Sequence, residues 1–186
     1  MLVIGVVGKQ GAGKDTLSFH LQKLMEVSGK RKHTVASASF SSILKQMLKK
    51  DGLAITRSNL QALGRKISKT FLGSEMTKLV EKSKSDMFFI TGMRTLSDYR
   101  LLRTFKNNLL IAVTAPARTR FQRLRNRGEK ENEIGLKWKS FLKEENHPIE
   151  KSIDVLIAKA DIKIANNSTQ AAFKSKIKKI LPKVKL

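Results

Sequence analysis

Gly8, Gly13 and Lys14 stand in the order Gly-x-x-x-x-Gly-Lys, directly behind the apolar run 2–7 and directly ahead of an amphipathic helical pattern. A buried strand running through a glycine-rich turn into a helix is the setting in which a loop cradles phosphate. The glycines let backbone N–H groups turn inward, and the helix points its positive dipole end at the anion. The expected phosphate cradle is Gly8, Gln10, Gly11, Ala12, Gly13, Lys14, Asp15 and Thr16. Lys14 supplies a cation for the β- and γ-phosphates of a nucleotide. It is followed by Asp15 and Thr16, so the hydroxyl that usually helps hold Mg²⁺ is displaced by one position. The alternative, a glycine-rich turn that binds nothing, fits the flanking strand and helix less well.

Arginine is the second chemical signal. Arg120, Arg123 and Arg127 are spaced i, i+3, i+7 and share one helix face, with Phe121 and Leu124 available to anchor that helix. Phosphoryl transfer spreads negative charge over equatorial oxygens, which positioned cations stabilise. These three are read as lid arginines, with Arg123 and Arg127 also catalytic; a solvated basic face is the competing reading. Arg57, Arg65 and Arg94 are candidates for gripping an acceptor phosphate, because the guanidinium fork matches phosphate oxygens. Arg94 is the best placed, just past the end of an expected strand. His20, His33 and His147 show no metal-ligand spacing, and Trp138 reads as packing.

Alternating strand and helix patterns must position these groups, which predicts a parallel sheet covered on both faces. Five strands are expected: residues 2–7, 33–38, 87–90, 109–113 and 161–165. The helix after the loop carries Leu17, Leu21, Leu24 and Met25. Ser39 is expected to cap a helix bearing Phe40, Ile43, Leu44, Met47 and Leu48. Ser58 is expected to cap another, running through Leu60, Leu63, Ile67 and Phe71 to near Gly73, with a further short helix around Met76, Leu79 and Val80. Helices are predicted over 96–105, 117–127, 138–145 and 149–159, with 128–135 a polar loop. The last helix presents Phe173, Ile177, Ile180 and Leu181. In such a sheet ligands sit at the carboxyl ends of the strands.

At 186 residues the chain suits one α/β domain. It has no cysteine, which excludes a disulfide framework and a cysteine metal site. No segment is apolar enough to span a bilayer and the first strand starts at once, so a cytoplasmic protein without signal peptide is expected. The 38 Lys and Arg outweigh 15 Asp and Glu, for a net charge of +23. That field favours anionic partners, nucleic acid among them, or reflects a basic host proteome.

Taken together, these segments resemble P-loop nucleotide kinases of the nucleoside monophosphate kinase and dephospho-CoA kinase type, including small archaeal and bacterial proteins labelled AAA family ATPase. The likeness covers nearly the whole chain. It rests on residues 8–16, on Thr56 to Gln61 leading to Leu63-Gly64, and on Gly92-Met93-Arg94 followed by Asp98. It continues through Ala115-Pro116 and the helix to Arg127, through Phe141-Leu142 before Glu144-Glu145-Asn146, and through Ala160-Asp161 before Asn166. The resemblance implies a three-layer α-β-α P-loop NTPase fold with a five-stranded parallel sheet of order 2-3-1-4-5. It implies a single domain over 1–186, with acceptor-binding helices at about 39–84 and a lid at about 118–146. Its activity would be transfer of the γ-phosphoryl of ATP·Mg²⁺ to a small phosphorylated acceptor. Thr16 would lie near the α/β-phosphates and Asn166 against the adenine.

Two positions depart from the family. Thr91 stands where the family carries an Asp expected to hold Mg²⁺ through water, and Ser68 falls near a family arginine. The first makes Asp15 the carboxylate expected to assist the metal or the acceptor. The leading expectation is a (deoxy)nucleoside monophosphate kinase of unknown oligomeric state, with dephospho-CoA as an alternative acceptor. A nucleotide-binding protein with little transferase activity and affinity for nucleic acid is a second reading; a polynucleotide 5′-kinase is a third.

Overall fold

The computed structural model describes residues 1–27, 33–127 and 134–184, without the side chains of Arg57 and Ile149. Five strands, β1 (Leu2–Val7), β2 (Val35–Ser39), β3 (Met87–Thr91), β4 (Asn108–Thr114) and β5 (Ile162–Ala165), form one sheet of order β2-β3-β1-β4-β5. Every pairing is parallel, with Ile4 opposite Phe89 on one side and Leu109 on the other. β1 is central and wholly buried, which is why it reads as an unbroken apolar run.

Period-two alternation divides the core between the two faces. Leu2, Ile4 and Val6 of β1 pack with Phe89, Ile111 and Val113 beneath α1 (Lys14–Val27) and α9 (Gln170–Ile180), which contribute Leu17, Leu21, Phe173 and Ile177. Val3 and Val7 pack the other way. There they meet α2 (Phe40–Lys50), α4 (Lys69–Lys82), α5 (Leu96–Thr104) and α8 (Pro148–Ala158) through Ile43, Met76, Leu102 and Ile153. A third, small cluster joins α6 (Ala117–Arg127) to α7 (Trp138–Glu145). The rings of Phe121, Trp138 and Phe141 lie 5.2–5.7 Å apart.

Ser39 caps α2 as expected and does so reciprocally with Ser42. The next helices differ from expectation. The cap of α3 (Arg57–Lys66) is Thr56, not Ser58, and the helix stops at Ile67. Ser68 then caps α4 by accepting the Phe71 N–H at 3.1 Å, so Gly73 lies inside a helix and not at its end. A local hydroxyl cap outcompetes the continuous apolar stripe from Leu60 to Phe71. Phe71, expected on that helix's apolar stripe, is exposed. Of the loop expected at 128–135, residues 128–133 lie outside the described residues.

At the opposite edge of the sheet, Asp161 fastens β5 to β4. It accepts from the Leu110 N–H at 2.7 Å and from Arg103 at 2.8 Å. Burial alone would raise this carboxyl; the Arg103 guanidinium and the Leu110 amide hold it below the ordinary Asp range.

Candidate active site

The turn between β1 and α1 lies at the carboxyl end of the central strand. The Ala12 N–H donates to the Lys9 carbonyl at 3.1 Å, and Lys14 Nζ donates to the same carbonyl at 3.1 Å. The loop is thereby closed around its own lysine. Gly11 and Gly13 adopt φ of +76° and +102°. A Cβ on Gly11 would come within 2.8 Å of the Arg120 carbonyl, and one on Gly13 would strike the Asn166 amide. Both positions require glycine for conformation and for space.

Two cavities flank this loop. One, of about 320 Å³, is lined by Gly13, Thr16, Arg123, Asn166, Ser168, Gln170 and Phe173. Asn166 is 6% exposed and donates to the Ala12 carbonyl at 2.8 Å, while its own oxygen accepts from Arg123 at 3.2 Å. The second terminal nitrogen of Arg123 is buried with no protein partner. Burial holds this guanidinium below its ordinary range. A partly buried cation with an unspent donor, beside the start of α1, is chemically suited to receive an anion or another hydrogen-bond acceptor.

The other cavity, of about 250 Å³, is lined by Lys9, Ala12, Val113, Thr114, Ala115, Arg120, Asp154 and Ile157. Its charges are already matched. Arg120, 4% exposed, makes two 2.6 Å bonds to Glu145 and also donates to the carbonyls of Ala115 and Gln10. Lys9 pairs with Asp154 at 2.9 Å and lies 3.7 Å from Glu145. Arg94, past β3, pairs with Glu150 at 3.3 Å, and its backbone N–H is accepted by Asp98.

This geometry revises the expectation that Arg120, Arg123 and Arg127 face one cleft together. Arg120 is committed to holding α6, α7 and the loop in register. Arg123 lines the cavity behind Gly13, next to Asn166, and Arg127 is exposed at the end of α6. Asp15 sits on the exposed stripe of α1, in line with Phe19 and Lys23. Arg65 is exposed on α3; the Arg57 side chain lies outside the description. Thr91 ends β3 with its hydroxyl turned to the Ala38 carbonyl at 3.5 Å. Among the described residues no group of three or more His, Cys, Asp or Glu is arranged to hold a metal. None of the described helices is long and apolar enough to cross a membrane.

Lys9 and Glu145 lie in segments that carry the resemblance, which assigns them no role, and no motif singles out Glu150 or Asp154. Glu145 and its partner Arg120 are 25 positions apart. Only the i, i+4 spacing of Glu150 and Asp154 marks them as sharing a face of α8.

A five-stranded parallel sheet of this order, with a glycine-rich loop opening α1, is the P-loop NTPase fold of the kinase-like type. Solved structures share it. Shikimate kinase from Bacteroides thetaiotaomicron superposes with a TM-score of 0.62 at 13% identity, covering 100% of this chain and 99% of that one. The Acinetobacter baumannii shikimate kinase in complex with shikimate gives 0.53 at 19%, covering 99% and 93%. The sequence itself matches the AAA domain family (AAA_18) over residues 4–150, and the chain belongs to that family. Among curated relatives it is 28% identical to UPF0200 protein MJ1399 of Methanocaldococcus jannaschii, covering 91% of this chain and 83% of the relative. It is 25% identical to UPF0200 protein TK1334 of Thermococcus kodakarensis, covering 98% of each.

Proposed function

We propose that this chain is an ATP-dependent phosphotransferase acting on a small phosphorylated acceptor, first a (deoxy)nucleoside monophosphate and alternatively dephospho-CoA. The observation that carries the reading is the pairing of the Lys14 loop with Arg123, whose partly buried guanidinium keeps an unspent buried donor beside Gly13 and Thr16. The nucleotide lies with its phosphates in residues 8–16 and its base toward Arg123, Asn166, Ser168 and Gln170. Lys14 leaves the Lys9 carbonyl for the β/γ-phosphates, a change of partner with little change of place. Arg94, held by Glu150, is the acceptor-side cation, with Arg57 and Arg65 as outer contacts. Arg127 serves as the lid cation.

A Mg²⁺ ion carried by the nucleotide would be held largely by phosphate oxygens and water; Thr16, which lines the cavity beside Gly13, and the more exposed Asp15 are the side chains after Lys14 that would offer it oxygen. Bound there, it would neutralise charge developing on the phosphates. The residue set fits such a substrate-borne ion better than an all-protein cage, since no described acidic cluster exists.

A second reading has its own observation. Ser39 and Thr91, at the carboxyl ends of β2 and β3, present hydroxyls and no carboxylate. Together with the net charge of +23, this favours a nucleotide-binding protein of low transferase activity with affinity for nucleic acid. One assay separates the two: ATP consumption with Mg²⁺ against (d)NMPs, dephospho-CoA, shikimate and 5′-hydroxyl oligonucleotides, beside Lys14→Ala. Turnover with one small acceptor, reduced at least about a hundredfold in the variant, supports the kinase. ATP binding without turnover supports the second reading, and failure to bind ATP removes both.

A further inference from the structure

Lysine and arginine are spread along the chain, but carboxylates are not. After Asp161 the remaining 25 residues hold seven lysines and no acidic residue. Within this segment lies α9, whose apolar stripe of Phe173, Ile177 and Ile180 is spent in the core against Leu17 and Leu21 of α1. Its other side exposes Lys174, Lys178 and Lys179.

The neighbouring helix α1 has an outward stripe of Asp15, Phe19, Lys23 and Glu26. Phe19 is 55% exposed, an unusual place for a ring. Lys23 Nζ lies 5.1 Å from its centroid, and the His20 ring meets it edge to face at 5.3 Å and 73°. His20 is held below the ordinary histidine range, by burial first and then by Lys174 and Lys23. The cations of α9 thus face those of α1 across His20. Among the described residues no carboxylate pairs with Lys23, Lys174, Lys178 or Lys179.

We propose that the α1–α9 face binds single-stranded nucleic acid, with Phe19 as a base-stacking platform and Lys23, Lys174, Lys178 and Lys179 as phosphate contacts. An aromatic face set among cations is how such strands are held without sequence readout. A duplex keeps its bases stacked away from Phe19, so only a single strand uses the ring. An anionic membrane surface fits less well, because the apolar side of α9 is buried and leaves no face to insert. The proposal rests on the second reading above to the extent that it turns a net charge into a surface. Strand binding itself needs no phosphoryl transfer, since these side chains lie outside the phosphate loop.

The test is fluorescence anisotropy of labelled single strands of about 20 nucleotides, as RNA and as DNA, titrated with the full chain at several salt concentrations. Log affinity should fall with log salt with a slope of about −3, given four phosphate contacts at about −0.7 each. Phe19→Ala should weaken binding about tenfold, and Phe19→Trp should restore it. Lys174→Gln with Lys178→Gln should reduce the slope by about 1.4, whereas Lys45→Gln with Lys49→Gln on α2 should leave it unchanged. Unequal affinity for RNA and DNA would name the strand.

Equal binding of duplex, indifferent to Phe19 and equally sensitive to the α2 lysines, would overturn the proposal in favour of a diffuse field. Binding to phosphatidylserine vesicles but not to strands would overturn it, as would Phe19-dependent dimerisation without strand binding. Strand binding kept in Lys14→Ala while ATP binding is lost separates this surface from the nucleotide site. ATP binding kept without strand binding removes the surface alone.

Discussion

Lys9, Arg94 and Arg120 each meet a carboxylate from α7 or α8, whereas Lys23, Lys174, Lys178 and Lys179, on α1 and α9, meet none among the described residues. In the first region Glu145, Glu150 and Asp154 convert cations near the strand ends into fixed cross-links between the loop, α6 and the helices behind it. In the second region the same kind of charge is left facing solvent around an exposed ring. The difference teaches that a net charge of +23 is not one property. Where positive groups are withdrawn from water, as at Arg120 and Lys9, an unpaired charge is costly and a carboxylate meets it; Arg123, met among the described residues only by the Asn166 oxygen, is the exception. Where they are exposed, water screens them and the field remains available to a partner.

Glu145→Ala is the change that should break this contrast most severely. It strands the Arg120 guanidinium in a buried site, at a cost of about 3–5 kcal/mol. Urea unfolding should report that loss; a cost under about 1 kcal/mol would show that no buried clamp exists. Next comes Asn166→Ala, which removes the donor to the Ala12 carbonyl and the acceptor for Arg123. A loss of about 1–3 kcal/mol is expected, together with weaker ATP binding. A smaller effect is predicted for the half-exposed Lys9 and Asp154 pair. A double-mutant cycle with Lys9→Ala and Asp154→Ala should return less than about 1 kcal/mol of coupling.

The solvent-facing region should respond in the opposite sense. Lys174→Gln should leave stability unchanged or raise it by a few tenths of a kcal/mol, since it removes repulsion and no partner. It should also let the His20 pKa rise toward its ordinary value of about 6.5, as followed by NMR titration. The sign of the pH effect follows from that depressed value. The native state binds a proton on His20 less readily than the unfolded chain does, so stability falls as pH drops below about 6.5. The decline continues until the native pKa is passed. His20→Gln should flatten that part of the stability profile, and a profile unaltered by the substitution would show that His20 does not feel the α9 lysines.

Much of the architecture was legible because its causes are local. The β1 run, the glycine-rich loop and the start of α1 lie within sixteen residues, and their apolar, glycine and charged positions already describe strand, turn and helix. The bounds of α6 and α7 were equally clear, since apolar spacing and flanking breakers agree there. The break between α3 and α4 was misplaced because two signals compete at Ser68, and only chain geometry decides between an extended stripe and a new cap.

Sequence alone determined the fold class, the strand order expected from its likeness to nucleotide kinases, and the phosphate-loop motif. These depend on periodicity and on conformations that particular residue types impose. Tertiary structure decided what each arginine is for. Arg120 and Arg123 are three positions apart on one helix, yet one is locked to Glu145 and the other is turned beside Asn166 with a donor to spare. Their partners come from α7 and from the end of β5, 25 and 43 positions away. Burial and charge pairing arise only when those distant segments meet, so the assignment could not be read before the chain was folded.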